Sequence, residues 1–229
     1  CSIILTFTIN RESPKPWNVL KNNMSRPSQT ESGTLILASA SPTRCLVLKD
    51  AGVTFQVVPA LVRENEIKHA MMAEGAVAAD IAATLAEIKA CQISNQHPDD
   101  LVIGTDQVLN FDGGMMDKPR DRTEARDQLV TLRGRWHELV SAVCVVQDGV
   151  RQWHHVGRAR LLMRGFSDGF LDAYLEIIGE RALAGPGAYQ IEGSGAQLFE
   201  RMEGDYFTIL GLPLLPLLDY LRSRQVLTS

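Results

Sequence analysis

The sequence has few cysteines, and none of them lie close together. The four cysteines, Cys1, Cys45, Cys91 and Cys144, form no C-x-x-C pair, which excludes the common zinc and dithiol redox motifs. Three of them have apolar neighbours in the sequence. We therefore expect reduced cysteines in the core of a cytoplasmic protein.

Long apolar runs and a strong net charge are also missing. No apolar run approaches the length of a transmembrane helix, so the sequence predicts no membrane span. The formal net charge of −4 argues against a general binder of polymeric nucleic acid or of membrane surfaces. Any phosphate site must then be a local basic cluster. With 229 residues, 45% of them hydrophobic, the chain can bury a core in one domain, or at most two.

The segment 1–33 has little hydrophobic periodicity and is rich in Pro, Asn and Ser. We expect a disordered or non-native extension, with Met24 as the natural start; loss of folding or activity on truncation to Met24 would overturn this hypothesis. Residues 2–9 could instead form one extra strand. They are too short for a signal peptide with a recognisable cleavage site. Residues 34–229 are expected to form a single domain.

The segment from Leu35 to Gly52 predicts a strand, a tight polar loop and a helix. Four apolar residues suit a short buried strand, and Ser41 followed by Pro42 is typical of a helix start. Free backbone N–H groups and the positive end of the helix dipole then point at one spot, which favours the binding of phosphate there. Arg44 can add a bidentate contact to the phosphate. An ordinary capped helix with a solvent-facing Arg44 is the alternative.

The rest of the chain alternates strand and helix patterns. Apolar periodicity, caps and turn residues predict the following elements: a face of Leu46 and Leu48 on the first helix, strands at 53–58 and 101–111, a helix at 68–91 interrupted at Gly75, a turn at 112–114, a capped helix at 121–132, a hairpin of 137–146 and 150–163 joined at Asp148-Gly149, a helix at 167–178, strands at 189–193 and 196–202, and a final helix at 211–221. Such a mixture predicts an α/β domain with some antiparallel pairing.

Five charged residues are predicted to lie at element ends rather than on exposed helical faces: Arg44, Glu64, Lys89, Asp106 and Lys118. Two carboxylates can hold a divalent cation and orient a water, while three cations can neutralise phosphate oxygens and a leaving group. If the five converge, the set suits metal-assisted phosphate chemistry. The alternatives are solvated loop charges, a helix-end cation at Lys89 and a strand-end cap at Asp106.

Short motifs, in this order along the chain, resemble those of the Maf family of nucleoside triphosphate pyrophosphatases. They are Ser39-Ala40-Ser41-Pro42-Thr43-Arg44, Glu64 after the second strand, Lys89 in a helix, Gly104-Thr105-Asp106, Asp117-Lys118-Pro119, Gly134-Arg135-Trp136-His137 and Gly211-Leu212-Pro213. The resemblance covers roughly residues 34–223. Each motif is weak alone, but their common order is specific.

The resemblance implies a fold like that of the inosine triphosphate pyrophosphatases: a long twisted mixed sheet with helices in two lobes around a cleft. It also implies hydrolysis between the α- and β-phosphates of a nucleotide, giving a nucleoside monophosphate and pyrophosphate. The implied cofactor is a divalent cation, Mg²⁺ or alternatively Mn²⁺. Family members are often homodimers.

The resemblance also implies roles for individual residues at the phosphate end of the site. Ser39, Ser41 and the nearby backbone would hold phosphate oxygens. Arg44, Lys89 and Lys118 would neutralise the triphosphate.

The two acids would bind the metal in such a site. Glu64 and Asp106 are the implied ligands, and Asp106 is the expected base for the attacking water. His137 could orient a side chain in the cleft, and a purely structural role for it is equally open.

Three departures from the common motifs indicate a subtype. Thr43, Gln107 and Glu192 stand where members acting on dTTP and UTP have Arg, Thr and Gln, and the trio resembles the branch that hydrolyses 7-methyl-GTP. We therefore expect all three to contact substrate; Glu192 could accept from the donor edge of a cationic methylated guanine. The alternatives are a dTTP/UTP pyrophosphatase and a nucleotide-binding regulator of cell division without turnover.

Asp117, in place of the usual Gly, is expected to reshape the turn at Lys118.

Overall fold

The computed structural model describes residues 33–228, so the predictions for 1–32 lie outside the described residues. The strands are β1 (Leu35–Leu37), β2 (Gln56–Val57), β3 (Leu101–Phe111), β4 (Gly114–Met116), β5 (Trp136–Gln147), β6 (Val150–Met163) and β7 (Phe199–Gly204). The helices are α1 (Pro42–Asp50), α2 (Glu64–Ala73), α3 (Ala78–Ser94), α4 (Arg122–Leu132), α5 (Asp168–Ile178), α6 (Tyr206–Ile209) and α7 (Leu214–Ser223). Two 3₁₀ segments span Gly179–Leu183 and Ser194–Leu198.

Among residues 33–228, all seven strands join one mixed sheet. Its order is β2-β1-β3-β5-β6-β7, and β4 pairs separately with β3. β1 is parallel to β2 and β3, whereas every other pairing is antiparallel. This architecture confirms the predicted α/β class. Between residues 33 and 228, no helix combines the length and the apolar character that crossing a bilayer requires.

The alternation of side chains along β3 divides the core into three clusters. Val102 points to one face of the sheet and packs with α3. Ile103 and Leu109 point to the other face, where Ile103 packs with α1 and α7, and Leu109 with α4 and α5. Two separate clusters on this face give the two predicted lobes. Each fully buried Leu or Ile in them contributes roughly 1.5–3 kcal/mol to stability.

One edge of β3 has a gap in its strand pairing. On that edge, β1 pairs with β3 only as far as Ile103, and β4 pairs with it only from Leu109 onward. Between these points, the described part of the chain gives β3 only β5 as a neighbouring strand, on its opposite edge. The gap therefore leaves room for side chains from other elements, and Asp106 lies in its middle.

Close packing of α3 brings that helix onto the sheet beside the gap. A Cβ at Gly104 would lie 2.1 Å from the carbonyl oxygen of Ala86, so only glycine allows α3 this approach. The same approach faces the side chain of Lys89 toward β3, one turn further along α3.

Local signals at caps and turns predicted structure well. The Ser41 hydroxyl caps α1 by accepting from the backbone N–H of Arg44 at 3.4 Å, and Asp121 caps α4 in the same way at 2.9 Å. The β5–β6 turn has positive φ at Asp148 and Gly149, as a two-residue hairpin turn requires. The break at Gly75 separates α2 from α3, as predicted.

Several predicted elements are wrong in detail. Leu46 is 55% exposed, because α1 turns Val47 and Leu48 toward the sheet instead. The strand predicted at 53–58 contains only Gln56 and Val57. Residues 189–193 contain no strand, since positive φ at Ala188 and a following turn prevent extended pairing.

The cysteine prediction holds in part. Cys144 is buried in β5, as expected, and burial raises the pKa of its thiol to about 12. Cys45 and Cys91 are only half-buried, because they lie on helix faces that are partly open to solvent. All three are free thiols.

Candidate active site

A cleft of about 490 Å³ opens beside the gap in β3. Its lining includes every residue that the sequence nominated for the site: Ser39, Ser41, Thr43, Arg44, Glu64, Lys89, Asp106, Gln107, Lys118 and Glu192. These residues come from α1, α2, α3, β3 and three connecting loops. We call Arg44, Glu64, Lys89, Asp106 and Lys118 the ionic part of the lining, and residues 185–192 the loop part.

Lys89 lies between two carboxylates. Its ammonium nitrogen is 2.6 Å from Asp106 Oδ1 and 2.8 Å from Glu64 Oε1, and the Lys89 side chain is only 9% exposed. Leaving any of these charges unpaired in such a place is costly. The prediction that these residues lie at element ends is wrong for Lys89 and Asp106, which lie inside α3 and β3. They meet because Asp106 shares the face of β3 that packs against α3.

Glu64 begins α2 and is half-buried at the cleft. Burial alone would raise the pKa of its carboxyl, but Lys89, Lys118 and Lys68 outweigh burial and lower the pKa below its usual value of 4.5. Glu64 is therefore ionised near neutral pH.

Arg44 reaches from the first turn of α1 to the gap in β3. Its Nη1 donates to the carbonyl oxygen of Thr105 at 3.2 Å and to Ser39 Oγ at 3.4 Å. Gly211, with φ of 90°, makes room for the guanidinium, since a Cβ there would lie 3.1 Å from Arg44 Nε. Burial lowers the pKa of Arg44, while Asp106 and Glu64 offset part of this effect, and the group stays cationic.

Lys118 follows β4 and differs from the two other lysines of the cleft, Lys68 and Lys89, which are both ion-paired. Among the described residues, no carboxylate forms an ion pair with it. Lys118 is exposed, yet enough protein surrounds it for desolvation to lower its pKa. Glu64 opposes this shift, and Arg44 and Lys89 add to it. This unpaired charge is available to an anionic ligand.

The family model for Maf-like proteins matches residues 34–224, nearly all of the described chain. The chain belongs to the Maf family.

Curated relatives in this family are similar over almost their whole length. A nucleoside triphosphate pyrophosphatase of Paramagnetospirillum magneticum is 52% identical over 82% of this chain and 96% of its own. A second, from Granulibacter bethesdensis, is 50% identical over 85% of this chain and 98% of its own. A 7-methyl-GTP pyrophosphatase of Rhizobium meliloti is 50% identical over 82% of this chain and 94% of its own.

The two serines of the Maf motif have different tasks. Ser41 Oγ caps α1. The buried Ser39 Oγ accepts from the backbone N–H of Ser41 at 3.2 Å and from Arg44. Because both neighbours donate to Ser39, its own O–H proton remains free to donate to a ligand oxygen.

The three residues that depart from the common Maf motifs do not behave alike. Thr43 Oγ1 donates to Glu192 Oε1 at 3.1 Å, so these two touch each other. Gln107 instead uses its amide nitrogen within the protein, where Ser141 Oγ and the carbonyl oxygens of Thr208 and Ile209 lie within 3.1 Å. Only the amide oxygen of Gln107 remains for a substrate.

Sequence reasoning missed Lys68 as a cleft residue. It lies four residues after Glu64 on the same face of α2, and its side chain is 12% exposed. Its nitrogen is 3.2 Å from Asp117 Oδ1, which ties α2 to the turn at Lys118. The spacing from Glu64 and the unusual Asp117 were the available signals.

His137 supports the loop part from behind. It is buried, and its Nε2 is 2.8 Å from the hydroxyl of Tyr189, a half-buried cleft residue. Burial lowers the pKa of His137 to about 4, so the ring is neutral near pH 7. His137 does not line the cleft; it contacts a residue that does.

The donor set fits a divalent cation that arrives together with a ligand. Asp106 Oδ2 is buried and has no hydrogen-bond partner among residues 33–228. In the same range, no group of three or more His, Cys, Asp or Glu side chains could hold a metal alone. Two carboxylates completed by phosphate oxygens and water are a usual arrangement for Mg²⁺.

Proposed function

We propose that this protein hydrolyses the α–β phosphate anhydride of nucleoside triphosphates, releasing a nucleoside monophosphate and pyrophosphate, with 7-methyl-GTP as the preferred substrate. The observation that carries this proposal is the placement of Lys89 between Glu64 and Asp106, in one cleft with Arg44 and Lys118. The names of the curated relatives support the same activity.

The cations bind and orient the triphosphate. Lys118 has no ion pair within the described residues, and Arg44 keeps guanidinium donors beside the Ser39 hydroxyl. These groups can hold phosphate oxygens and neutralise the charge that grows on departing pyrophosphate. Lys68 adds a further positive charge to this end of the cleft.

Glu64 and Asp106 would hold the Mg²⁺ or Mn²⁺ ion. When bound, the ion supplies positive charge next to the phosphates and lowers the pKa of a nearby water. Asp106 has a second task in the proposal: its free Oδ2 accepts a proton from the attacking water. The water oxygen then bonds to one phosphorus of the α–β anhydride, the bond to the bridging oxygen breaks, and that oxygen carries the new negative charge.

Selection of the nucleobase of the substrate depends on the end of the cleft that carries Glu192. Glu192 is exposed, and its carboxylate is held by the Thr43 hydroxyl. A 7-methylguanine ring is cationic and carries N–H donors on its pairing edge, so a carboxylate favours it over a pyrimidine.

A product assay on a substrate panel tests the proposal. The protein is incubated with 7-methyl-GTP, GTP, dTTP or UTP and Mg²⁺ or Mn²⁺, and pyrophosphate and orthophosphate are measured separately. We expect pyrophosphate, released fastest from 7-methyl-GTP. Faster release from dTTP or UTP would favour the alternative substrates, and orthophosphate would indicate a phosphatase. Tight binding without turnover would favour a regulator.

Homodimer formation stays a prediction from the family. Light scattering coupled to size-exclusion chromatography tests it directly, since a dimer would double the chain mass of 25.2 kDa.

A further inference from the structure

A buried glutamine on α4 connects the two parts of the cleft lining. Gln128 does not line the cleft itself, and it is only 8% exposed. Its amide nitrogen donates to the carbonyl oxygen of Asp117 at 2.9 Å, and its amide oxygen accepts from the backbone N–H of Gly187 at 2.9 Å. Both ends of one side chain therefore hold backbone groups of two different loops.

The first loop carries Lys118. Asp117 directly precedes this lysine, and no ion pair within the described residues holds the Lys118 ammonium. The position of that charge therefore depends on the backbone of its loop, which Gln128 and the Lys68–Asp117 pair restrain.

The second loop carries Tyr189. Gly187 has a φ of 81°, and a Cβ there would lie 2.6 Å from Tyr189 Cε1 and 2.8 Å from Leu109 Cδ1. The Tyr189 ring thus rests directly on the Gly187 backbone. A displacement of Gly187 would move that ring in the cleft.

We propose that Gln128 is a positioning residue that sets the spacing between Lys118 and Tyr189, and so the register in which a nucleotide lies in the cleft. The inference rests on the proposed function for the identity of the ligand. An amide suits this task because it offers one donor and one acceptor on the same rigid group. A hydrophobic side chain of similar size would take the hydrogen-bond partner away from the buried Gly187 N–H and from the part-buried Asp117 carbonyl oxygen.

A double-mutant cycle tests the proposal. Gln128→Met and Lys118→Met are made singly and together, and kcat and KM are measured with 7-methyl-GTP. Because sub-ångström misplacement of a binding group is costly, we expect Gln128→Met to lower kcat/KM about tenfold when Lys118 is present. When Lys118 is replaced, the further loss should fall below about threefold, since residues that act as a unit are not additive.

The control is Thr131→Ala, an exposed position three residues along the same helix, which should leave kcat and KM unchanged. If Gln128→Met does not fold, Gln128→Asn replaces it in the cycle, because a side chain one methylene shorter cannot reach both loops. Equal losses in the two backgrounds, or no loss at all, would overturn the inference.

A binding measurement separates this inference from the proposed activity. The affinity of each variant for the non-hydrolysable α,β-methylene analogue of GTP is measured by calorimetry in the same cycle. We expect Gln128→Met to weaken binding only when Lys118 is present. Absence of turnover in the unsubstituted protein would overturn the proposed activity alone, because the cycle can still be evaluated from these affinities.

Discussion

The two parts of the cleft lining are built in different ways. The ionic part places the buried Lys89 ammonium within 2.8 Å of two carboxylates, one of which belongs to the buried Asp106. The loop part, residues 185–192, is held by neutral contacts: the backbone of Gly187 by Gln128, and the hydroxyl of Tyr189 by His137. Its one acid, Glu192, is exposed, and within residues 33–228 its carboxylate has only the Thr43 hydroxyl as a hydrogen-bond partner.

This difference predicts that chemistry and substrate choice depend on different parts of the cleft. A buried charge in the ionic part cannot change alone, because its partner would be left without compensation. An exposed carboxylate such as Glu192 can be replaced at little cost to folding. We therefore expect turnover to depend on the ionic part and selectivity to depend on the loop part.

The largest expected effect is that of Asp106→Asn. The amide keeps the shape of the side chain but cannot accept a proton, so kcat should fall by about 10³-fold. Circular dichroism and thermal melting should show an intact fold. Asp127→Asn, on the exposed side of α4, is the matched control. Activity within tenfold of the unsubstituted protein would remove Asp106 from the role of base.

Lys89→Met and Lys118→Met should separate the paired cation from the unpaired one. Removing Lys89 takes the shared ion-pair partner away from the buried Asp106 and the half-buried Glu64, which should lower the free energy of unfolding by about 3–5 kcal/mol. Removing the exposed Lys118 should change it by less than about 0.5 kcal/mol. Urea unfolding measures both. Equal destabilisation by the two substitutions would show that ion pairing does not make Lys89 more important for folding than Lys118.

His137 should make the loop part sensitive to acid. Its pKa is about 4 in the folded protein, against an ordinary 6.5, so the unfolded chain takes up the proton first as pH falls. The stabilisation is complete above pH 6.5 and is lost as pH falls to 4, amounting to about 3 kcal/mol. As pH is lowered from 7 to 4, the free energy of unfolding should therefore fall less steeply for His137→Gln than for the unsubstituted protein. If the free energy of unfolding depends on pH equally steeply in both proteins, His137 is not the cause of the loss.

The smallest expected effect is that of Glu192→Gln. The substitution removes one exposed charge, so the preference for 7-methyl-GTP over UTP should fall roughly fivefold, corresponding to about 1 kcal/mol. Stability should be unchanged. Glu200→Gln, on exposed β7, controls for net charge. A loss of kcat for all substrates alike would mean that Glu192 belongs with the ionic part.

Much of the local structure could be predicted because its causes lie within a few residues. The Ser41 and Asp121 caps, the Asp148-Gly149 turn and the break at Gly75 all depend on short-range backbone geometry. Leu46 shows the limit of such signals. Both Leu46 and Val47 are apolar, and only packing against the sheet decided which one is buried.

The sequence nominated a set of residues that line one cleft, but it did not predict how they are arranged there. Family motifs nominated Lys89 and Asp106, yet both were expected at element ends, and both lie inside long elements. No motif nominated Lys68 or Gln128. Their partners, Asp117 and Gly187, are 49 and 59 residues away respectively, beyond the reach of any periodicity.

The amino-acid sequence by itself determined the type of each main element and the chemical groups available to a phosphate ligand. Tertiary structure alone decided that β1 stops at Leu37 and β4 begins at Gly114, which leaves the edge of β3 open at Asp106. The physical reason is that caps, turns and periodicity act over a few residues. A gap in a sheet edge instead depends on where three separate strands end relative to one another.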